Sequence, residues 1–476
     1  MTNLRPLTPE DKVLVDVLTR VGLFLLVVGQ AAAGYTESDV WGHMSIGLDM
    51  LHDRHFLWVD PYSFTHDQAW INHEWLWDLA VGAIYRAGGL PAIVAMRVAL
   101  VGVVLWIVDR ATARAPGWVR TITLSLAAIG CTGQWRSTRP QMATLALYAV
   151  LLTNIDAWWL PLLFLAWANL HGGWLFGLGA VVAYTVTHPS RRSIAIAVGC
   201  GAATLVNPYG VHLWTAIADA LQRGWADVSE WQPIWTIAAG PDALLLWLLI
   251  AGTTSMLWRR VARDPWAWLW SFVALVAAAN SRRLMALAAL TSALLLVPAW
   301  TAPAEAVGIV WTPVRRWVSA GVIAGSLSGA MLFIGPTLSC FPPVPGWRAP
   351  EPGAVAYLRT TDVKRIVPHF DFGEYAIFHL RDRMQVAIDN RRETVYSDAA
   401  VQANQRFTDG LDPEYPDRIG ADAVWWPTSG TQIIEGLEQR GWVRRFEGPR
   451  SVVLMRSQGA VVRGRDAVGT PCFPDR

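Results

Sequence analysis

Long apolar runs recur along most of this chain, separated by short polar turns, and they limit its folds more than any other feature. A helix crossing the hydrocarbon core of a bilayer needs about 20 mainly apolar residues, fewer where it is short or broken. The runs that meet this description are Val13–Gly34, Leu90–Val108, Val119–Gly133, Gln141–Ile155, Ala157–Leu170, Gly172–Thr187, Ser193–Val206, Ala243–Trp258, Trp266–Ala279, Leu284–Pro298 and Val318–Thr337. They predict a polytopic α-helical membrane protein of about 11 spans. The charged content points the same way: it is 16%, where soluble domains average roughly a quarter. The net charge of +2 comes from small basic clusters between the runs, which carry orientation rather than a nucleic-acid patch. Met1–Arg20 shows no cleavage site behind a short apolar core, so the first run reads as a retained span rather than a signal peptide.

Alternating sides from a cytoplasmic N-terminus puts Asp109–Arg120, His188–Arg192, Trp258–Asp264 and Trp300–Arg316 inside. These loops hold Arg110, Arg114, Arg120, Arg191, Arg192, Arg259, Arg260, Arg263, Arg315 and Arg316, as the positive-inside rule requires. Tyr35–Gly89 and the C-terminal tail then lie outside. The alternation works only if Asn72–Arg86 does not cross, so it is expected to lie as a helix at the outer interface, where its tryptophans belong.

The outer loop Tyr35–Trp77 is the part of the chain richest in carboxylates and imidazoles, with Glu37, Asp39, His43, Asp60, His73 and Glu74 among them. Other polar residues fall at the same side: Arg136 and Arg139 in QWRSTRPQ, Arg282 and Arg283 in NSRR, His171 in NLHGGW, and Asn207 and Tyr209 in VNPYG. Each could be a helix-end snorkeler or cap, yet their shared side points to a common site. Ser38 and Asp39 precede a helix-like stretch, so Asp39 also fits an N-cap. His43 falls one helical turn after Asp39, which would put both on one face. His73 and Glu74 would point apart on a helix and do not form a zinc signature.

From about Cys340 the composition changes. A proline-rich linker leads into alternating apolar runs and turns, read as a small α/β domain. Arg365–Phe370, Tyr375–His379, Met384–Ile388, Ala423–Trp426 and Ser451–Met455 are expected strands, and Ala354–Arg359 and Thr431–Arg440 expected helices. The division is therefore residues 1–339, with the large first loop 35–89, and a soluble periplasmic α/β domain over 340–476. Outside the cell Cys340 and Cys472 could pair. Cys131 and Cys200 fall in spans as apolar fillers.

An acidic pair just after the first span, Glu37 and Asp39, followed by HEWLWDLAVGAIYRAGGLPAIVAMRVAL, resembles the C-type glycosyltransferase superfamily. Its members include the protein O-mannosyltransferases and the aminoarabinose transferases. More narrowly, SDVWGHMSIG, VDPYSFT, NHEWL, STRPQ, ANLHGGW, VNPYG, SEWQP, FDFGEYAIFHL and AIDNRRETVY are similar to an uncharacterised bacterial group within it. Two positions depart from that group's pattern: Asn390 stands where glycine is expected in Asp-Gly-Arg, and Gly42 where a second tryptophan is usual.

The resemblance implies a transferase in the bacterial inner membrane, working on the periplasmic face. It would take a sugar from a polyprenyl-phosphate carrier and give it to a glycan, lipid or protein acceptor. Asp39 would be the base, with Glu37 the alternative. Substrate contacts are expected from His43, His73, Glu74, Arg136, Arg139, His171, Asn207, Tyr209, Arg282 and Arg283, the arginines being suited to phosphate. No cofactor is firmly implied; a divalent metal on His43 and Asp39 stays open. The tail would cover the site or bind acceptor. The alternative is a non-catalytic glycan- or partner-binding scaffold of an envelope polysaccharide machine. A transporter is disfavoured by the lack of an internal repeat and of acidic residues mid-span.

Overall fold

The computed structural model describes residues 9–115, 117–222, 229–236, 241–258, 264–296, 321, 340–343, 349–392, 394–456, 461–463 and 472–474. The expected span Val318–Thr337 (apart from Gly321), the loop Trp300–Arg316 and most of Trp258–Asp264 lie outside these residues. The chain divides into two compact units.

The first unit comprises Met1–Gly34, Val94–Leu213 and Ile217–Thr337 and is helical throughout its described residues. Its helix starts follow local chemistry. Ser190 and Ser193 form a reciprocal capping box ahead of Arg191–Ala203. The Asp264 side chain accepts from the Trp266 amide, with Pro265 at the first helical position of Pro265–Asn280. Many side chains on these helices point outward: Trp106, Ile129, Val186, Val198, Trp247 and Phe272 are 61% to 69% exposed. The guanidinium of Arg97 is instead fully buried, donates to the Trp135 carbonyl at 2.9 Å, and occupies the space beside Gly34 that a Cβ would take.

Among the described residues, one helix is both long and apolar enough to cross a membrane by itself, Trp75–Ala111. Gln141–Thr153, Leu160–Leu170, Trp174–Thr187 and Pro265–Asn280 are apolar but only 10–17 residues long. The helices therefore do not establish the expected number of spans. Trp75–Ala111 breaks at Gly89, whose φ of 61° and ψ of −152° are open to glycine at little cost. The break separates the expected interfacial helix from the expected span at Leu90–Val108.

The second unit comprises Tyr35–Ile93, Trp214–Ala216 and Leu338–Arg476. The first loop thus clusters with the tail, whereas the sequence division grouped it with the spans. The tail carries a six-stranded sheet in the order β2-β1-β3-β5-β4-β6. The strands are β1 (Arg365–Pro368), β2 (Gln385–Val386), β3 (Ala423–Pro427), β4 (Val443–Glu447), β5 (Ser451–Met455) and β6 (Val462–Arg463). β1 pairs in parallel with β2 and β3, β5 runs antiparallel to β3 and β4, and β6 runs parallel to β4. Every residue of β3 is buried, as a central strand demands. Val424 and Trp426 from it join Val367, Phe407, Ile434, Leu437 and Leu454 in one core.

Tyr375–His379, expected as a strand, lies within the helix Gly373–Leu380. Its flanking residues are also buried, so its apolar run has no polar face, and periodicity alone cannot separate a buried helix from a strand. Asp398–Thr408 is a helix and Val443–Glu447 a strand, neither of which the sequence reading assigned. The strand, VRRFE, is unusually charged for its type.

The first loop extends this sheet. The Phe64 amide donates to the Val386 carbonyl at 3.1 Å and the Val386 amide to the Tyr62 carbonyl at 2.9 Å, so the loop covers the β2 edge. Asp67 accepts from the Ser397 amide at 2.6 Å, and Asp49 accepts from Arg381 Nε at 2.8 Å. Thr36 donates its amide to the Pro342 carbonyl at 2.8 Å. Cys340 and Cys472 are joined, their Cα atoms 5.4 Å apart. The bond brings Phe473 beside Trp41, with ring centroids 4.8 Å apart.

The first loop's helix, Ser38–Asp53, crosses Trp75–Ala111 with the two backbones in contact. A Cβ at Gly47 would lie 1.9 Å from the Asp78 carbonyl oxygen, and one at Gly82 would lie 2.6 Å from the Gly47 carbonyl carbon. No side-chain rotation relieves a backbone clash. Gly47→Ala is therefore expected to cost about 1–3 kcal/mol, the usual range for overpacking. Thermal unfolding of the purified full chain tests this. An unchanged midpoint would mean that the helices do not cross so closely.

Candidate functional site

Ser38 and Asp39 lie inside the first turn of Ser38–Asp53 rather than capping it; the N-cap position is Glu37, whose side chain makes no capping bond. The negative charge of Asp39 suits the helix N-terminus. Its Oδ1 accepts from Asn390 Nδ2 at 2.6 Å and lies 3.4 Å from Ser38 Oγ. Asn390 also donates to Ser38 Oγ. A tail residue that sequence reading did not select as a site residue therefore holds the candidate base.

His43 is on the same helix, but its partner is Asp78. Nδ1 and Asp78 Oδ1 are 2.6 Å apart, and Asn72 Nδ2 donates to Asp78 Oδ2 at 2.7 Å. Glu74 Oε2 lies 3.9 Å from His43 Nε2. Burial works against the His43 charge, but the Asp78 hydrogen bond and the charges of Asp78, Glu74 and Glu374 outweigh it, pushing His43 up to about 10. His73 and Glu74 form the turn before Trp75 rather than opposite faces of a helix, with His73 Nε2 and Glu74 Oε1 3.4 Å apart.

Glu374, from the tail helix Gly373–Leu380, is 4% exposed, and its Oε2 has no hydrogen-bond partner. A Cβ at Gly42 would lie 2.5 Å from its carboxyl carbon, so this acid occupies the space where a side chain at 42 would sit. Burial and the negative charges of Asp39 and Asp389 raise it well above the usual range, against the opposing pull of His43 and Arg391. Its proton is therefore held to higher pH than that of an ordinary glutamate. The folded chain keeps this proton above pH 4.5, where an ordinary glutamate loses it, so stability falls as pH rises through that range. Glu374→Gln has the shape of the neutral acid and no charge to lose. It is expected to unfold at higher temperature than the parent at pH 7.5, with the gap closing towards pH 4.5. A gap that stays constant with pH would refute a protonated Glu374.

A second polar cluster lies beside these residues in the tail. Arg391 donates to Asp60 Oδ1 and Asp389 Oδ2, each at 2.6 Å, and Tyr396 donates its hydroxyl to Asp389 Oδ2 at 2.8 Å. Both carboxylates are fully buried. The guanidinium also lies over the rings of Tyr62 and Trp70. Asp60 accepts the Tyr62 and Ser63 amides within its own turn, and through Arg391 it also anchors the tail.

The remaining expected site residues belong to the helical unit. Arg139 Nη1 meets both Glu230 oxygens at 3.2 Å, and Arg283 Nη1 lies 3.9 Å from Glu230 Oε1 and over the Trp231 ring. The Arg282 amide donates to the Gln232 carbonyl at 3.3 Å, so SEWQP and NSRR adjoin. Glu230 was not among the expected residues. Arg136 lies at the end of Gly117–Trp135, in the turn leading to Gln141–Thr153. His171 is buried, pairs with Thr144 Oγ1 at 2.7 Å and accepts the Gly173 amide at 3.1 Å, making it a helix-end group. Asn207 donates to the Thr204 and Gly210 carbonyls and accepts the Tyr209 amide, which closes a turn.

Among the described residues no group of three or more His, Cys, Asp or Glu side chains could hold a metal ion. His43 Nδ1 lies against Asp78 and Asp39 Oδ1 against Asn390.

No protein-family model and no curated protein matches the sequence. The fold does match solved structures of an oligosaccharyltransferase from Archaeoglobus fulgidus. Its apo form aligns with a TM-score of 0.54 at 10% identity, covering 93% of this chain and 74% of that one. A complex of the archaeal oligosaccharyltransferase AglB with an inhibitory peptide and a dolichol-phosphate gives 0.55 at 10% identity, covering 91% and 73%. A complex with zinc and sulfate gives 0.53 at 11% identity, covering 85% and 68%. At this identity the likeness is one of fold alone.

Proposed function

We propose that this chain is an integral-membrane glycosyltransferase of the bacterial inner membrane. It moves a sugar from a polyprenyl-phosphate carrier to an envelope acceptor on the periplasmic face. The observation that carries this reading is the fold likeness to a transferase solved with a dolichol-phosphate, extending over 91% of the chain. The outward apolar side chains of the helical unit support a lipid setting, since soluble surfaces rarely carry large apolar patches. The Cys340–Cys472 bond supports an oxidising compartment for the tail.

In this reading Asp39 takes the proton from the acceptor hydroxyl as its oxygen bonds to the sugar's anomeric carbon. The bond from that carbon to the carrier phosphate breaks, and its electron pair leaves with the polyprenyl phosphate. The helical unit's own candidate for carrier phosphate is the arginine pair Arg139 and Arg283, now paired with Glu230. Zinc occurs in one neighbour's complex; among the described residues here no group of three or more His, Cys, Asp or Glu could hold a metal ion.

The test is an assay of the purified full chain with a panel of polyprenyl-phosphate sugars, following release of lipid phosphate. Turnover with one donor supports the transferase. Saturable glycan or lipid binding without turnover by any donor would replace it with the scaffold reading.

A further inference from the structure

We infer that Asn390 is a positioning residue for Asp39, so that the tail is part of the transfer apparatus rather than a cover over it. This rests on the reading of Asp39 as the base. The geometry is specific. Asn390 Nδ2 sits 2.6 Å from Asp39 Oδ1, and the same nitrogen donates to Ser38 Oγ. The amide must present its nitrogen here, because the other orientation would set two acceptors against each other.

Asn390 is itself held rigidly by its neighbours. Asp389 Oδ1 accepts the Arg391 amide at 2.9 Å and Arg391 Nε at 3.0 Å, and Arg391 reaches on to Asp60. A Cβ at Gly373 would lie 2.7 Å from the Asp389 Cα, so the tail helix presses against the same segment. A catalytic side chain works best when a locked neighbour fixes its rotamer, and Asn390 offers Asp39 this support from a buried, cross-linked turn.

A second polar tail group meets the same turns: a side chain at Gly42 would occupy the space of the Glu374 carboxyl. Glu37, His43 and Glu374 are the other titratable groups at this turn, with Asp389 and Arg391 behind them.

Asn390→Gly and Asn390→Asp, in the purified full chain, test the inference. The first removes the amide; the second keeps its shape and removes the donor. Both are expected to lower kcat roughly 10- to 100-fold, the worth of one hydrogen bond to a charged group. KM for the lipid-linked donor should stay within about twofold. A merely structural role would instead lower the folded fraction and leave kcat per folded molecule unchanged. Parent-like kcat in both variants, or a loss expressed in KM, would overturn the inference. A second measurement needs no turnover: a double-mutant cycle of Asp39→Ala and Asn390→Gly on thermal unfolding, where contact predicts non-additive shifts. Coupling in that cycle with a parent inactive on every donor would sink the transferase and leave the contact standing. Turnover in the parent without coupling would do the reverse.

Discussion

Asp39→Asn will lower turnover by about 100- to 10,000-fold, the range that one general base supplies, while donor binding and the unfolding midpoint stay close to the parent's. The charges at the site favour Asp39 by elimination. His43 holds its proton up to about 10, so it has no lone pair to accept one near neutrality. Burial and the acidic neighbours of Glu374 raise it well above the usual carboxylate range, which disfavours its ionised form. Asp39 and Glu37 are then the carboxylates left at the first turn of Ser38–Asp53, and Asp39 is the one with an oxygen fixed by Asn390. Asparagine at 39 keeps the shape and offers a carbonyl oxygen to the Asn390 amide, so the fold should survive. Released polyprenyl phosphate, measured under single-turnover conditions, reads the chemical step directly. Turnover that persists in Asp39→Asn and vanishes in Glu37→Gln would move the base to Glu37 and detach Asn390 from catalysis.

The apolar runs and the change of composition near Cys340 were legible in the sequence, since each is local. Most helices of the first unit lie within or close to the expected runs because an apolar segment flanked by polar turns leaves few alternatives. The polar site was only half legible. Asp39 and Glu37 stood out by position, and His43 by its spacing from Asp39. The partner of His43 is Asp78, from the next helix, and no spacing rule reaches it. Asn390 lies 351 residues from Asp39, and a lone asparagine in a turn looks like any other turn residue. Gly42 likewise reads as an ordinary small residue until Glu374 is seen beside it. Helix and strand were confused at Tyr375–His379 for a related reason: tertiary burial supplies an apolar environment on every side, and the local pattern cannot show it.

Arg391→Leu will cost about 3–5 kcal/mol, the loss observed when one partner of a buried ion pair is removed. Asp60 and Asp389, both fully buried, would then face each other without a cation. In the parent, burial opposes the Arg391 charge, and Asp389 and Asp60 overcome it, so the guanidinium stays charged. The cluster connects the first loop to the tail through Asp60 on one side and Asp389 on the other, so its failure would release the DPYS turn from β2 and its neighbours. Arg391→Lys keeps the charge and loses the forked contacts, and should cost less than the leucine variant. Thermal unfolding of the full chain at pH 7.5 measures both effects. If Arg391→Leu unfolds within about 1 kcal/mol of the parent, the cluster does not hold the loop to the tail, and Asn390 loses the rigid turn that lets it position Asp39.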